Sequence, residues 1–399
     1  MTENMICTEH MEDIDMSEIS VEEMEEKVAE LAAAIDPVDT QAMDAARDRQ
    51  VTLAKVPGSL GKLEDISVKL AGITGKVKDI DVRKQCIAIF SADNGVVKTG
   101  VASAPQSVTQ SQTMNFTRRI TGMSSQARYF GIDVLVTDMG VADEIPEALY
   151  TDKMLTEDGK IPVQIVYRSL GKGTEDLSAG PAMTRELALK AILTGFEAAD
   201  AMKDAGINLC GVGEMGIGNT TTSSCLLEAL TGLPAEDLVG RGGGLNNEGL
   251  TAKIKIVGER GNAVRDLDPI GKLAEVGGFD ICAMVGCFLG AAKNHIPVVI
   301  DGFISIAAAC MAQELNPAVT DYMFASHKSK EIGYIAAIDR LGLEPMFDLG
   351  MRLGEGSGCP IAFKIIEAAE ASMSLMKTLA EGAIDAEYLE EIKRGHYLD

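Results

Sequence analysis

Tryptophan is absent from this chain, histidine occurs four times, and basic residues are scarce beside acidic ones. The four histidines, His10, His295, His327 and His396, are dispersed, and no H-E-x-x-H stands among them. With no C-x-x-C pair among the eight cysteines either, neither a zinc knuckle nor another dedicated metal site is expected. Cys86, Cys282, Cys287 and Cys310 lie inside apolar runs, which suits buried free thiols in a reducing compartment rather than a disulfide framework. The balance of 36 basic against 60 acidic residues leaves a net charge of −24. That sign argues against nucleic acid or an anionic membrane as partner. The longest uncharged apolar run, Ile281–Ala292, is shorter than the ~18 residues a membrane span needs. The first twelve residues show no basic-then-apolar pattern, so we expect no signal peptide and a cytoplasmic setting.

What is present is 46% hydrophobic residues, 24% charged residues and 41 glycines, in a length that suits one large domain plus a smaller one. Eleven acids against Lys27 alone crowd the first thirty residues, so about ten of the negative charges are local, and residues 1–19 read as a disordered acidic tail. Ser20-Val-Glu-Glu23 has capping-box form, and Val21, Met24, Val28, Leu31 and Ile35 follow at helical spacing. Further helices are expected over Gln41–Leu53 and Leu63–Ile73, so that 20–84 forms a small helical domain or dimerisation region. From residue 85 short apolar runs alternate with amphipathic segments, which is the pattern of an α/β fold with a mainly parallel, Rossmann-like sheet flanked by helices. Strands are expected at Cys86–Phe90, Asp133–Val136, Ile207–Val212, Pro297–Ile300 and Tyr322–Ser326. Helices are expected at Arg185–Asp204, Thr221–Leu230, Gly249–Gly261, Phe279–Ala292 and Pro360–Leu379. This domain would run over 85–380, with 381–399 as a C-terminal extension and the C-terminal segments as a further contributor to the helical domain.

In such sheets ligands sit beyond the carboxyl ends of the strands, and the glycine-rich loops follow the strands. Leu349–Pro360 carries Glu355 between Gly354 and Gly356, a loop able to press on a ligand and hold one acid out as a general base. A solvated acid of no consequence is the plainer alternative. The loop after Ile207–Val212 reads Gly213-Glu-Met-Gly-Ile-Gly-Asn-Thr-Thr-Thr222. Gly211, Gly213 and Gly216 fit G-x-G-x-x-G, but the ribose-binding acid of a dinucleotide fold is missing. Gly213 to Gly218 begin a Walker A loop, but its lysine position is Asn219. What remains is a strand-to-helix turn whose N–H groups suit one phosphate. Lys253, near the first turn of the next glycine-loop helix, could supply the missing cation or face solvent. Asp93 at a strand end is either a ligand contact or a turn cap. Asp301, after Ile296-Pro-Val-Val-Ile, could accept from a ribose hydroxyl. His327, beside a turn with Lys328 and Lys330, is expected at the surface or in a supporting position.

Five collinear stretches carry a resemblance. Lys55-Val-Pro-Gly-Ser-Leu-Gly-Lys-Leu-Glu, Gly213-Glu-Met-Gly-Ile-Gly-Asn-Thr-Thr, Val239-Gly-Arg-Gly, Ile296-Pro-Val-Val-Ile-Asp-Gly-Phe-Ile and Leu353-Gly-Glu-Gly-Ser-Gly resemble the nicotinate-nucleotide–dimethylbenzimidazole phosphoribosyltransferase family. The resemblance covers about residues 20 to 380. It implies transfer of 5-phosphoribosyl from nicotinate mononucleotide to 5,6-dimethylbenzimidazole, giving α-ribazole 5′-phosphate and nicotinate in cobamide synthesis, by a homodimer without cofactor or metal. By motif it implies Glu355 as catalytic base. It implies nucleotide and phosphate contacts at Gly213, Glu214, Gly216, Gly218, Asn219, Thr220, Thr221, Lys253, Asp301 and Ser326. The base pocket would take Ser91, Asp93, Thr99, Met215 and Leu353. Asp93-Asn94-Gly95 departs from the family's frequent Asp-His-Gly, and Thr99 falls in the same loop, so the identity of the base stays open. The same family acting on another base, or as one subunit of a pair, is the alternative. A Rossmann dehydrogenase and a non-catalytic binding subunit are alternatives of other classes.

Overall fold

In a computed structural model of the chain, residues 19–242, 244–385 and 387 are described. The expectations for the acidic tail and for most of 381–399 fall outside those residues. Among the described residues seven strands form one sheet: β1 Gln85–Ala92, β2 Asp133–Gly140, β3 Tyr150–Thr151, β4 Ile165–Tyr167, β5 Leu209–Met215, β6 Val298–Ile300 and β7 Met323–Ala325. Every pairing is parallel and the spatial order is β3-β4-β2-β1-β5-β6-β7. The helices are α1 Val21–Ala33, α2 Thr40–Thr52, α3 Lys62–Thr74, α4 Ser107–Thr117, α5 Gly122–Phe130, α6 Arg185–Asp204 and α7 Asn219–Thr231. They continue with α8 Ala235–Leu238, α9 Asn247–Ala263, α10 Pro269–Val276, α11 Phe279–Lys293, α12 Phe303–Leu315, α13 Tyr334–Leu341 and α14 Cys359–Leu375.

Local chemistry sets the boundaries. The expected capping box starts α1, with Ser20 Oγ accepting from Glu23 N and the Glu23 carboxylate accepting from Ser20 N. Thr184 caps α6, and Asp268 with Pro269 at the first position starts α10. α3 and α5 stop at Gly75 and Gly131 in the left-handed conformation. Strand β1 is buried at all eight positions, as the central strand of a two-faced parallel sheet must be.

Helix α11 is buried along its whole length except its last residue, and it packs against β1, β5 and α6. Two glycines allow that contact. A Cβ on Gly286 would lie 1.8 Å from the Ile192 carbonyl oxygen, and one on Gly195 would lie 2.0 Å from that of Ala283. Backbone meets backbone there, so neither side can yield. The 20–84 segment does not pack as one body. Met24, Val28 and Ala32 of α1 join the main core against α6 and α11. Ala42 and Ala46 of α2, Val68 and Ala71 of α3 and Met373 of α14 make a separate small cluster.

The five expected strands and the named helices are present with ends shifted by a few residues; α14 ends at Leu375 rather than at Leu379. Strands β3 and β4 and helices α4, α5, α8, α10, α12 and α13 were not anticipated. Two- and three-residue strands carry no period. Helix α12 has no polar face because ten of its residues are buried, and α4, Ser-Val-Thr-Gln-Ser-Gln-Thr, reads like a loop.

Replacing Gly286 by Ala tests the α6–α11 contact. Helix propensity alone would favour Ala by about 1 kcal/mol. Overpacking against fixed backbone is instead expected to lower stability by about 3 kcal/mol, read as a lower urea midpoint. A midpoint equal to or above that of the parent would show that the helices part freely.

Candidate active site

The site is built where the 354–358 loop lies on the carboxyl end of β5. Two β5 glycines make room for it: a Cβ on Gly213 would lie 2.6 Å from Gly356 N, and one on Gly211 would lie 2.6 Å from Cys359 Sγ. Gly354, Glu355 and Gly356 take φ of +82°, +61° and +77°, so three successive residues have positive φ and the middle one is not glycine. Asp301, at the end of β6, holds this turn. Its Oδ2 accepts from Gly356 N at 3.0 Å and its Oδ1 from Gly358 N at 2.6 Å. Ser305 Oγ fixes Asp301 in turn by accepting from Asp301 N (3.1 Å) and donating to the Val212 carbonyl (2.9 Å).

The loop aims Glu355 into a cleft of about 370 Å³. Glu355 is 6% exposed. Its Oε1 accepts from Gln112 Nε2 at 2.8 Å, whereas Oε2 has no protein partner. Glu214 lines the same cleft and accepts from Glu355 N and from Asn219 Nδ2. Asn219 Nδ2 also donates to Asp280 Oδ2 at 3.0 Å, so one amide bridges two buried carboxylates. Burial, with Asp280 and then Asp301 nearby, raises Glu214 to about 8. Burial likewise raises Asp301 to about 7 and Asp280 to about 6. Each shift favours the protonated form, so Glu214 brings less negative charge to the cleft than an ordinary carboxylate would.

Lys253, Arg241 and Arg352 bring positive charge to the cleft, and Glu331 lines it near Lys253. Lys253 on α9 is buried and donates to Thr220 Oγ1 at 2.8 Å. Burial lowers its value to about 8, and Glu331 opposes that shift. The first residues of α7 (Asn219, Thr220) and of α12 (Phe303, Ile304) line the cleft together with Arg241 and Arg352. Two helix N-termini and buried Lys253 thus converge where an anion would sit. Val101, Val108, Met215 and Leu353 give the remaining wall an apolar surface, and Leu353 is 57% exposed. Larger concavities exist, such as one of about 780 Å³ between Leu170 and Phe279. None of the glycine loops described above borders it.

Of the expected site residues, Glu214, Met215, Gly216, Gly218, Asn219, Thr220, Lys253, Leu353 and Glu355 line this cleft. Gly213 lies beneath it as a packing position. Thr221 is buried inside α7, and Ser91, at the end of β1, is fully buried without a partner for its hydroxyl. Asp301 spends both oxygens on the 354–358 loop instead of facing the cleft. Ser326 Oγ donates to the Asp301 carbonyl at 2.7 Å. Asp93 accepts from Ala142 N (2.8 Å), and Thr99 closes its own turn on the Val96 carbonyl (2.7 Å). Asn94 turns inward, accepting from Thr222 Oγ1 at 3.1 Å. The surface position considered for His327 is incorrect: it is 1% exposed and lines the cleft, because the 327–330 segment folds inward against Phe347. Sequence reasoning missed Gln112, Arg241, Asp280, Glu331 and Arg352. Asp280 had a signal, the one acid in a strongly apolar helix; Gln112 had none.

A carboxylate with one tethered and one unpartnered oxygen, an apolar wall and basic groups suit the transfer of a phosphate-bearing group, and residues 35–384 match a family model described as phosphoribosyltransferase. The chain is 48% identical over 367 residues to the nicotinate-nucleotide–dimethylbenzimidazole phosphoribosyltransferase of Clostridium perfringens, covering 91% of this chain and 97% of the relative. It is 43% identical over 360 residues to the protein of that name from Clostridium acetobutylicum, covering 90% and 98%. The crystal structure of CobT from Thermus thermophilus superposes with a TM-score of 0.80 at 36% identity, over 86% of this chain and 99% of that one. The chain belongs to the nicotinate-nucleotide–dimethylbenzimidazole phosphoribosyltransferase family.

The three raised acids give stability a definite pH dependence. An acid raised in the folded state keeps its proton after the unfolded chain has lost it near pH 4. Its contribution is therefore whole below that value and is lost as pH rises through the folded value. The urea midpoint should fall from pH 5 to pH 8.5, and Glu214→Gln should flatten that fall, most of all between pH 6 and 8. A variant whose profile runs parallel to the parent's would mean that Glu214 ionises normally.

Proposed function

We propose that this protein transfers the 5-phosphoribosyl group of nicotinate mononucleotide to a nitrogen of 5,6-dimethylbenzimidazole or a closely related base. The products are α-ribazole 5′-phosphate and nicotinate. The observation that carries this reading is Glu355, tethered through Oε1 to Gln112 while its buried Oε2 has no protein partner. The donor's single phosphate suits Lys253, Thr220 and the N-termini of α7 and α12. Its C1′ then falls toward Glu355, and the flat base lies along Met215, Leu353, Val101 and Val108.

The chemistry needs one base. As the acceptor's nitrogen bonds to C1′, the C1′–N bond to the pyridinium breaks, and its electron pair leaves with nicotinate as a neutral ring nitrogen. The acceptor's other nitrogen loses its N–H proton to Glu355 Oε2. Attack from the face opposite the leaving group inverts C1′ from β to α. Positive charge developing at C1′ is favoured by the same carboxylate. The reading includes a cytoplasmic setting, in keeping with seven free, buried cysteines among the described residues. It also includes a homodimer. Exposed Ile120, Tyr129 and Phe130 offer apolar surface that a second copy could cover.

The test mixes the protein with nicotinate mononucleotide and, in turn, 5,6-dimethylbenzimidazole, benzimidazole, adenine and p-cresol, following nicotinate and new riboside phosphate by chromatography. Equimolar release of the two is expected with a benzimidazole. Glu355→Gln, which keeps the shape but not the basicity, should lose about 10²–10⁴-fold in kcat. Nicotinate release that needs no acceptor, or a Glu355→Gln enzyme of full activity, would refute the mechanism.

A further inference from the structure

Ser326 and His327 follow β7 and meet side chain to side chain. Ser326 Oγ lies 2.7 Å from the Asp301 carbonyl oxygen and 3.2 Å from His327 Nδ1. A hydroxyl has one proton to donate, and a carbonyl can only accept. The shorter contact therefore takes the Ser326 proton, and the longer one must be made by a hydrogen on His327 Nδ1. Burial keeps the imidazole neutral, its value lowered to about 4. A neutral ring with its hydrogen on Nδ1 presents Nε2 as a bare acceptor.

That Nε2 has no protein partner, although the residue is 1% exposed and lines the cleft. Its surroundings locate it. A Cβ on Gly302, just before α12, would lie 3.6 Å from Nε2, and one on Gly358 would lie 2.5 Å from Nδ1. The ring thus stands between the anion-binding start of α12 and the loop that carries Glu355. Buried acceptors in native proteins find donors, so a ligand group that fills this place should bring a hydrogen. A phosphate oxyanion is repelled by a bare acceptor and has Lys253 and two helix N-termini instead. The acceptor base has its N–H committed to Glu355. A sugar hydroxyl, lying between phosphate and base, satisfies the ring.

We propose that His327 is a specificity-determining residue, its unprotonated Nε2 accepting a hydrogen bond from a ribose hydroxyl of the donor nucleotide. This rests on the phosphoribosyl transfer proposed above. The test compares nicotinate mononucleotide with its 2′-deoxy and 3′-deoxy analogues in the parent, in His327→Phe and in His327→Gln. The parent should lose about 3- to 10-fold in kcat/KM with one of the two deoxy donors. His327→Phe should lose that same preference, falling with the ribose donor but no further with the deoxy donor. His327→Gln, whose amide oxygen can accept, should recover part of it, and KM for dimethylbenzimidazole should stay constant throughout. A preference that survives in His327→Phe, its absence from the parent, or equal losses with every donor would overturn the assignment. If no donor releases nicotinate, the reaction itself is wrong. Calorimetric titration of ribose 5-phosphate against 2-deoxyribose 5-phosphate and 3-deoxyribose 5-phosphate in parent and His327→Phe then decides His327 alone. A hydroxyl preference confined to the parent supports it, and none overturns it.

Discussion

The two hydrogen bonds from Gly356 N and Gly358 N to the Asp301 carboxylate are the constraint on which this site rests. A non-glycine residue at φ +61° costs roughly 1–2 kcal/mol, because its Cβ crowds the following carbonyl. A bond from a buried N–H to a charged acceptor contributes roughly 1.5–3 kcal/mol. Two such bonds outweigh one unfavourable residue, so the turn persists and Glu355 keeps its aim. Asp301 works against its own burial, which raises it to about 7. It works nonetheless because protonation would leave an O–H beside two N–H donors.

The same constraint explains the glycines that looked like nucleotide fingerprints. Gly211 and Gly213 belong to β5, and their missing side chains admit Cys359 and the Gly356 backbone. Gly216 makes room for the Ala92 carbonyl, Asp280 and Asn94. The spacing reflects how closely a second loop descends onto the strand, and neither a dinucleotide nor a triphosphate is needed to account for it. Only Gly218, at φ +100° before α7, sits where a phosphate-binding turn would place it.

Much of the fold was legible in the chain order of its residues. Runs such as Cys86–Phe90 and Ile207–Val212 are too apolar for a sheet with a solvated face, and they fix a parallel α/β core. The short strands β3 and β4 and the uniformly apolar α12 were not legible, since neither length nor period marks them. In the site, Glu355 and Lys253 were legible because glycine loops announce them. Asp301 was noticed for the wrong contact, because a strand-end acid followed by glycine looks the same whether it faces a ribose or a backbone loop. Gln112 was not legible at all, and His327 was legible only as a residue at the surface or in a supporting position. Each is polar in a segment that reads as loop or surface, and only the folding of α4 and of residues 327–330 onto the cleft gives them a role.

Native-state amide hydrogen exchange at Gly356 and Gly358, in the parent and in Asp301→Asn, bears most directly on this constraint when read alongside steady-state rates. Both amides should exchange slowly in the parent and much faster in the variant. At the same time kcat should fall while KM for the nucleotide changes little, because Lys253 and the helix N-termini are untouched. Unchanged protection of the two amides together with unchanged kcat would contradict the role given to Asp301, for the Glu355 loop would then hold its shape without that carboxylate.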